Sequence, residues 1–203
     1  MNGSRTAPRW HNLITLVILV AALLGGAYAY GHGHEKNTAE KKTYATKKID
    51  WTDKGWELVW QDEFNTGNLD YTKWNKVTNC WGGGNDEQQC YVDKSDNFEF
   101  DNGVLHIVAI KEDYTGPAER VGSPNYSPEN TRTLPYTSGR IRSNNKGDWK
   151  YGRIEARIRL PHGQGTWPAF WMLPTDEEYG GWAASGEIDI MEAVNIGAKT
   201  DKT

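Results

Sequence analysis

Ser185-Gly-Glu-Ile-Asp-Ile-Met-Glu-Ala193 carries three carboxylates, Glu187, Asp189 and Glu192, within one short apolar run. Ile188, Ile190 and Met191 suit a pleated surface and Gly186 opens the run, so the segment reads as a β-strand. Strict alternation sends Glu187 and Asp189 to one face and Glu192 to the other. One extra residue, a β-bulge near Met191, would turn Glu192 back to the side of the first two. Glu187 and Glu192 would then stand roughly 13 Å apart at Cα, at ~3.3 Å per strand residue. Two Glu side chains leaning together can close that to the ~5–5.5 Å carboxyl separation of a retaining glycosidase. The alternative is a half-buried strand with Glu192 in solvent. Acidic residues are depleted in strands, so three in six positions call for a reason.

The neighbouring segments read the same way. Trp56-Glu-Leu-Val-Trp60 and Val104-Leu-His-Ile-Val-Ala-Ile110 are rich in strand formers, the second following the turn signal Asp101-Asn-Gly103. Tyr151 to Leu160 alternates for ten residues, with Ile154, Ala156, Ile158 and Leu160 on one side and Arg153, Glu155, Arg157 and Arg159 on the other. That pattern predicts an antiparallel strand with one wet face. Trp167 to Leu173 completes the set, and no helical period is sustained after residue 29. Many short strands joined by Gly, Pro, Asn and Asp predict an all-β sandwich or barrel.

Composition narrows the partners. Net charge is -4, with no block of like charge to suggest a nucleic-acid or acidic-lipid surface. Ten Trp and ten Tyr stand against four Phe. Rings with an apolar face and a polar tip enrich where a surface grips something partly polar, as a sugar ring is, although Trp also fills cores. Residues 1–29 read as an export signal: Arg5 and Arg9, an apolar run from Leu13 to Leu24, and Ala27-Tyr-Ala29 as a small-x-small cleavage site. The alternative is an uncleaved membrane anchor, and only then is a membrane a partner. Either way the rest is expected to work outside the cytoplasm, secreted, periplasmic or anchored facing outward. Residues 30–55, polar and Lys-rich, read as a flexible linker. Cys80 and Cys90 flank a Gly-rich loop, and an oxidising compartment favours pairing them, with free thiols as the alternative. Two cysteines with no neighbouring His do not suggest a metal site.

Six segments in order carry a resemblance: Trp60-Gln-Asp-Glu-Phe64, Asn85-Asp-Glu-Gln-Gln-Cys-Tyr91, Thr137-Ser-Gly-Arg-Ile141, Tyr151 to Arg157, Gly165 to Leu173 and Gly186 to Glu192. Together, over residues 56–203, they closely resemble glycoside hydrolase family 16, and within it the laminarinase-like endo-β-1,3-glucanases. The resemblance implies a jelly-roll β-sandwich of the concanavalin A-like kind, with a substrate cleft on its concave face. Family domains continue for several more strands, so it also implies a domain truncated at the C-terminus. It makes Glu187 the nucleophile, Glu192 the general acid/base and Asp189 the carboxylate between them. A nucleophile must be ionised and an acid must hold its proton, so their environments must differ. A third negative charge in the row favours keeping a proton somewhere on the three.

By the same resemblance Trp167 and Trp171 floor the cleft, with core packing as the alternative. Asn85 and Arg140 bind sugar hydroxyls, unless Arg140 pairs with a surface carboxylate, and Trp182 caps a sugar subsite. Some family members hold a structural calcium, for which Glu63 and the backbone near Gly103 are the local candidates; catalysis by two carboxylates requires no metal. The expected activity is retaining endo-hydrolysis of β-1,3 or mixed β-1,3/1,4 glucan by a monomer. The alternatives are a non-catalytic β-glucan-binding protein and a relative acting on agarose or carrageenan.

Overall fold

The computed structural model describes residues 14–22 and 54–198, the first of these as backbone. Twelve strands follow one another: β1 (Ile14–Ala22), β2 (Asn75–Lys76), β3 (Gln89–Tyr91), β4 (Phe98–Asp101), β5 (Val104–Ile107), β6 (Tyr114–Pro117), β7 (Thr131–Leu134), β8 (Tyr136–Ser138), β9 (Arg140–Arg142), β10 (Asp148–Trp149), β11 (Thr166–Pro174) and β12 (Ile188–Glu192). Among the described residues the helical content is limited to short 3₁₀ turns, as the absence of helical period predicts.

Six strands form an antiparallel sheet in the order β12-β11-β1-β9-β2, with β10 also on β1. Three two-stranded ribbons, β3–β8, β4–β5 and β6–β7, flank it. The predicted turn at Asp101-Asn-Gly103 closes β4 onto β5, Asp101 opposite Val104. Asn102 and Gly103 both have positive φ, 49° and 74°, the backbone that a two-residue hairpin turn demands.

Strand β11 divides its side chains by alternation. Phe170 and Met172 enter the main core with Leu69, Trp74, Phe98 and Ile141. Trp60 lies edge-on against Trp74 and Trp149, at 5.1 and 5.3 Å between ring centres, and seals that core. Trp167, Ala169 and Trp171 face the other way and pack with Tyr91 and Val77. The sheet thus has a core face and an aromatic face.

Two strands read from sequence need revision. Tyr151 to Leu160 pairs with no strand; Ile154 alone of its apolar set reaches the core, and Tyr151 is 85% exposed. Alternation alone cannot form a strand that lacks a neighbour to bond. Trp56 to Val59 is likewise unpaired and exposed, although Trp60 packs. The apolar run read as an export signal contributes β1, bonded along its length to β11 and in part to β9. Residues 1–13, the cleavage site and residues 30–53 of the linker lie outside the described residues. Among the described residues no helix is long and apolar enough to cross a membrane.

Candidate active site

The register of β11 with β12 decides where the carboxylates point. Met172 stands opposite Ile188 and Trp171 opposite Asp189, but Phe170 stands opposite Met191 and Ala169 opposite Glu192. Ile190 is the extra residue, a bulge one position from where the sequence argument put it. Asp189 and Glu192 therefore both project on the aromatic face, beside Trp171 and Ala169. Glu187, two residues before Asp189, follows by alternation. Among the described residues β12 is the last strand of the sheet, and on its other face Ile188 is 49% and Ile190 40% exposed.

Two indoles hold the outer carboxylates. Trp167 Nε1 donates to Glu192 Oε1 at 2.6 Å. Trp182, 76% exposed in the loop before β12, donates through Nε1 to Glu187 Oε2. That loop is closed by Tyr179 N–H donating to Ser185 Oγ at 3.0 Å and Ser185 Oγ–H donating to Gly180 O at 2.5 Å. Burial lifts the Glu187 carboxyl above the ordinary carboxylate range; the Trp182 N–H opposes this. The Asp189 charge, a hydrogen bond with Asp189 and the Glu192 charge add to the rise.

The binding residues named from sequence divide. Trp167 and Trp171 lie on the carboxylate face, flanking Ala169. Arg140 on β9 reaches them: its guanidinium lies 5.0 Å from the Trp171 ring and 5.7 Å from that of Tyr91. It makes no ion pair with a surface carboxylate among the described residues. The buried Nε of Arg140 and Nε1 of Trp171 have no hydrogen-bond acceptor. Asn85 lies apart, exposed at the tip of the Gly-rich loop, where its N–H donates to Gly82 O.

Sequence reasoning passed over what lies beneath that loop. Glu87, 3% exposed, accepts from Gln89 Nε2 at 2.6 Å and from the Tyr91 hydroxyl at 3.0 Å. Burial and then the Glu87 charge push the Tyr91 hydroxyl well above its usual range. Burial weakens the hold of Arg140 on its proton, while Tyr91 and Glu87 oppose the loss. Glu87 is thus the buried counter-charge to Arg140. The signal was available, since Glu87, Gln89 and Tyr91 recur at the strand period within a segment already singled out. Gly83 is required here: a Cβ on it would fall 1.9 Å from Glu87 Oε1. Cys80 and Cys90 are disulfide-bonded and tie the base of the loop.

For calcium, Glu63 and Gly103 do meet. The Glu63 carbonyl oxygen and Asn65 Oδ1 both abut Gly103, 3.5 and 2.4 Å from where a Cβ would stand. No group of three His, Cys, Asp or Glu side chains able to hold a metal gathers among the described residues. Two oxygens beside Gly103 are fewer than the six to eight that calcium takes.

Residues 119–203 match a family model described as the XgeA-like, catalytic GH16 domain. Glucan endo-1,3-beta-glucosidase A1 of Niallia circulans is 44% identical over 147 residues, covering 68% of this chain and 20% of its own. Glucan endo-1,3-beta-glucosidase of Cryptopygus antarcticus is 43% identical over 141 residues, covering 68% of this chain and 46% of its own. The crystal structure of laminarinase from Flavobacterium sp. UMI-01 superposes with a TM-score of 0.50 at 38% identity, over 68% of this chain and 53% of that one. The chain spans about half the length, or less, of these relatives. The strand pattern is accordingly that of the family's jelly roll, and the aligned stretch belongs to glycoside hydrolase family 16, in its laminarinase-like branch.

Proposed function

We propose that this protein is a retaining endo-glycosidase that cleaves β-1,3 linkages in glucans, mixed-linkage chains included. One observation carries the proposal: the bulge at Ile190 gathers the row of carboxylates onto the face floored by Trp167 and Trp171. In the first step Glu192 gives its proton to the leaving glycosidic oxygen while the Glu187 carboxylate attacks the anomeric carbon. A glycosyl ester forms and the sugar downstream departs. In the second step Glu192 takes a proton from water, the water oxygen bonds to the anomeric carbon and Glu187 leaves. Two inversions return the starting anomer. Asp189 orients Glu187 and shares its proton between turnovers. The family relatives support the glucan reading by their names.

Incubation with laminarin, lichenan and agarose, followed by identification of reducing ends, tests the substrate class. Proton NMR of the first product formed tests the stereochemistry, and an initial α-anomer would exclude double displacement. Glu187→Gln and Glu192→Gln should each abolish hydrolysis while laminarin binding persists. A Glu187→Gln protein with normal turnover would overturn the assignment, and a parent protein that binds laminarin without cutting it would favour a pure β-glucan binder.

Three further readings belong to the same proposal: export with action outside the cytoplasm, a monomeric state, and a structural calcium at Glu63 and Gly103. The calcium is tested by whether added calcium raises the melting temperature of chelator-treated protein.

A further inference from the structure

The aromatic face does not end at Trp171. In β9, Ile141 is wholly buried in the core, so Arg140 and Arg142 project together on the other side, the side of the carboxylates. The register carries this across the sheet. Arg140 and Ala169 share the partner Leu19, and Ala169 faces Glu192; Arg142 and Trp171 share the partner Val17, and Trp171 faces Asp189. At the main chain the two arginines therefore lie in the same two cross-strand rows as the acids, three strand spacings away, or ~14 Å at ~4.8 Å per spacing, and the Arg140 guanidinium reaches back toward them as far as the Trp171 ring.

A third guanidinium joins them from outside the sheet. Arg120, in the segment after β6, lies over the Trp81 ring at 4.4 Å. Burial lowers the proton affinity of Arg140 and of Arg142, and the charge of Arg120 acts on both in the same sense. None of the three makes an ion pair with a carboxylate among the described residues. Glu87 offsets Arg140 alone, from beneath, and its carboxylate is occupied by Gln89 and Tyr91. Arg120 and Arg142 are exposed and, among the described residues, have no carboxylate partner, which leaves their guanidinium donors open to an anion.

We propose that Arg120, Arg140 and Arg142 form an anion-accepting subsite of the cleft, which takes a sulfate ester or carboxylate borne by a sugar a few rings away from the cleaved bond. This deepens the glycosidase reading and rests on the same cleft. It widens the substrate class from neutral glucan to glucan with anionic decoration. The planar guanidinium forks suit the flat or tetrahedral oxygen sets of either anion. The ordering of acids at one end and arginines at the other fixes which way round such a chain lies.

The test measures binding, so that it stands apart from hydrolysis. Glu187→Gln protein is titrated with laminarin, lightly sulfated laminarin and carboxymethyl laminarin at low and moderate salt, alone and with Arg120→Gln or Arg142→Gln added. A charge-assisted contact predicts about tenfold tighter binding of a decorated chain than of laminarin at low salt. The advantage should shrink with salt and fall several-fold with either arginine replaced; the better of the two decorated chains identifies the anion. Equal affinity for all three polymers, or an advantage that survives both arginine substitutions, would overturn the subsite. Failure of the parent protein to cut laminarin would instead count against the glycosidase reading and leave these affinities to be judged on their own.

Discussion

Replacing Cys80 and Cys90 together by alanine tests how the loop over Glu87 is held. The bond closes a loop with a sequence separation of 10. The chain-entropy relation for a loop of that size gives about 3 kcal/mol of stability at 25 °C, exerted by restricting the unfolded chain. Both sulfurs are wholly buried beside Val92 and Leu134, so their removal also loses packing, and the figure is a lower bound on the change. For a domain of this size such a loss lowers the melting temperature by about 6–12 °C. The assay is urea and thermal unfolding of the parent and the double variant, each with and without dithiothreitol. The parent should fall to the level of the variant when reduced, and the variant should not respond. A change below about 1 kcal/mol, or equal sensitivity of both proteins to the reductant, would refute the reasoning.

Other consequences are sharper for activity. Because Glu187 must be ionised to attack, activity should fail as pH drops through its raised pKa, above the range of an ordinary glutamate. Asp189→Asn removes a charge that raises that value and should move the acid limb of the kcat/KM profile to lower pH; Trp182→Phe removes a bond that lowers it and should move the limb the other way. Shifts in the same direction would contradict the electrostatics. Gly83→Ala combines a positive φ of 62° with a clash on Glu87, and should cost about 2 kcal/mol or more in urea unfolding while raising KM through Arg140. Phe170→Ala, at the centre of the main core, should cost about 3–5 kcal/mol by the same measurement, and a cost under 1 would place the core elsewhere.

The sequence made legible what depends on local chemistry. The apolar period of β11, the Asn102-Gly103 turn and the need for an extra residue between Asp189 and Glu192 are each written in a few adjacent residues. What escaped depends on partners distant along the chain. Tyr151 to Leu160 has every mark of a strand, yet pairing needs a neighbour that its own letters do not supply. Glu87 was legible only as one polar residue among several. Its importance comes from burial against Tyr91 and Arg140, the last of these more than fifty positions away. The gathering of Arg120 with Arg140 and Arg142 likewise exists only once β9 and the loop after β6 are folded together.

Strand β1 lies between the strand that bears Arg140 and the strand that bears Trp171, and its main chain bonds to both. The arginine bank and the indole bank therefore do not bond to each other directly: one interposed ribbon of nine residues sets how far apart they stand and how one is phased against the other. A one-residue slip of that ribbon against either neighbour would slide the two banks past each other by about 3.3 Å and misalign every row that crosses it.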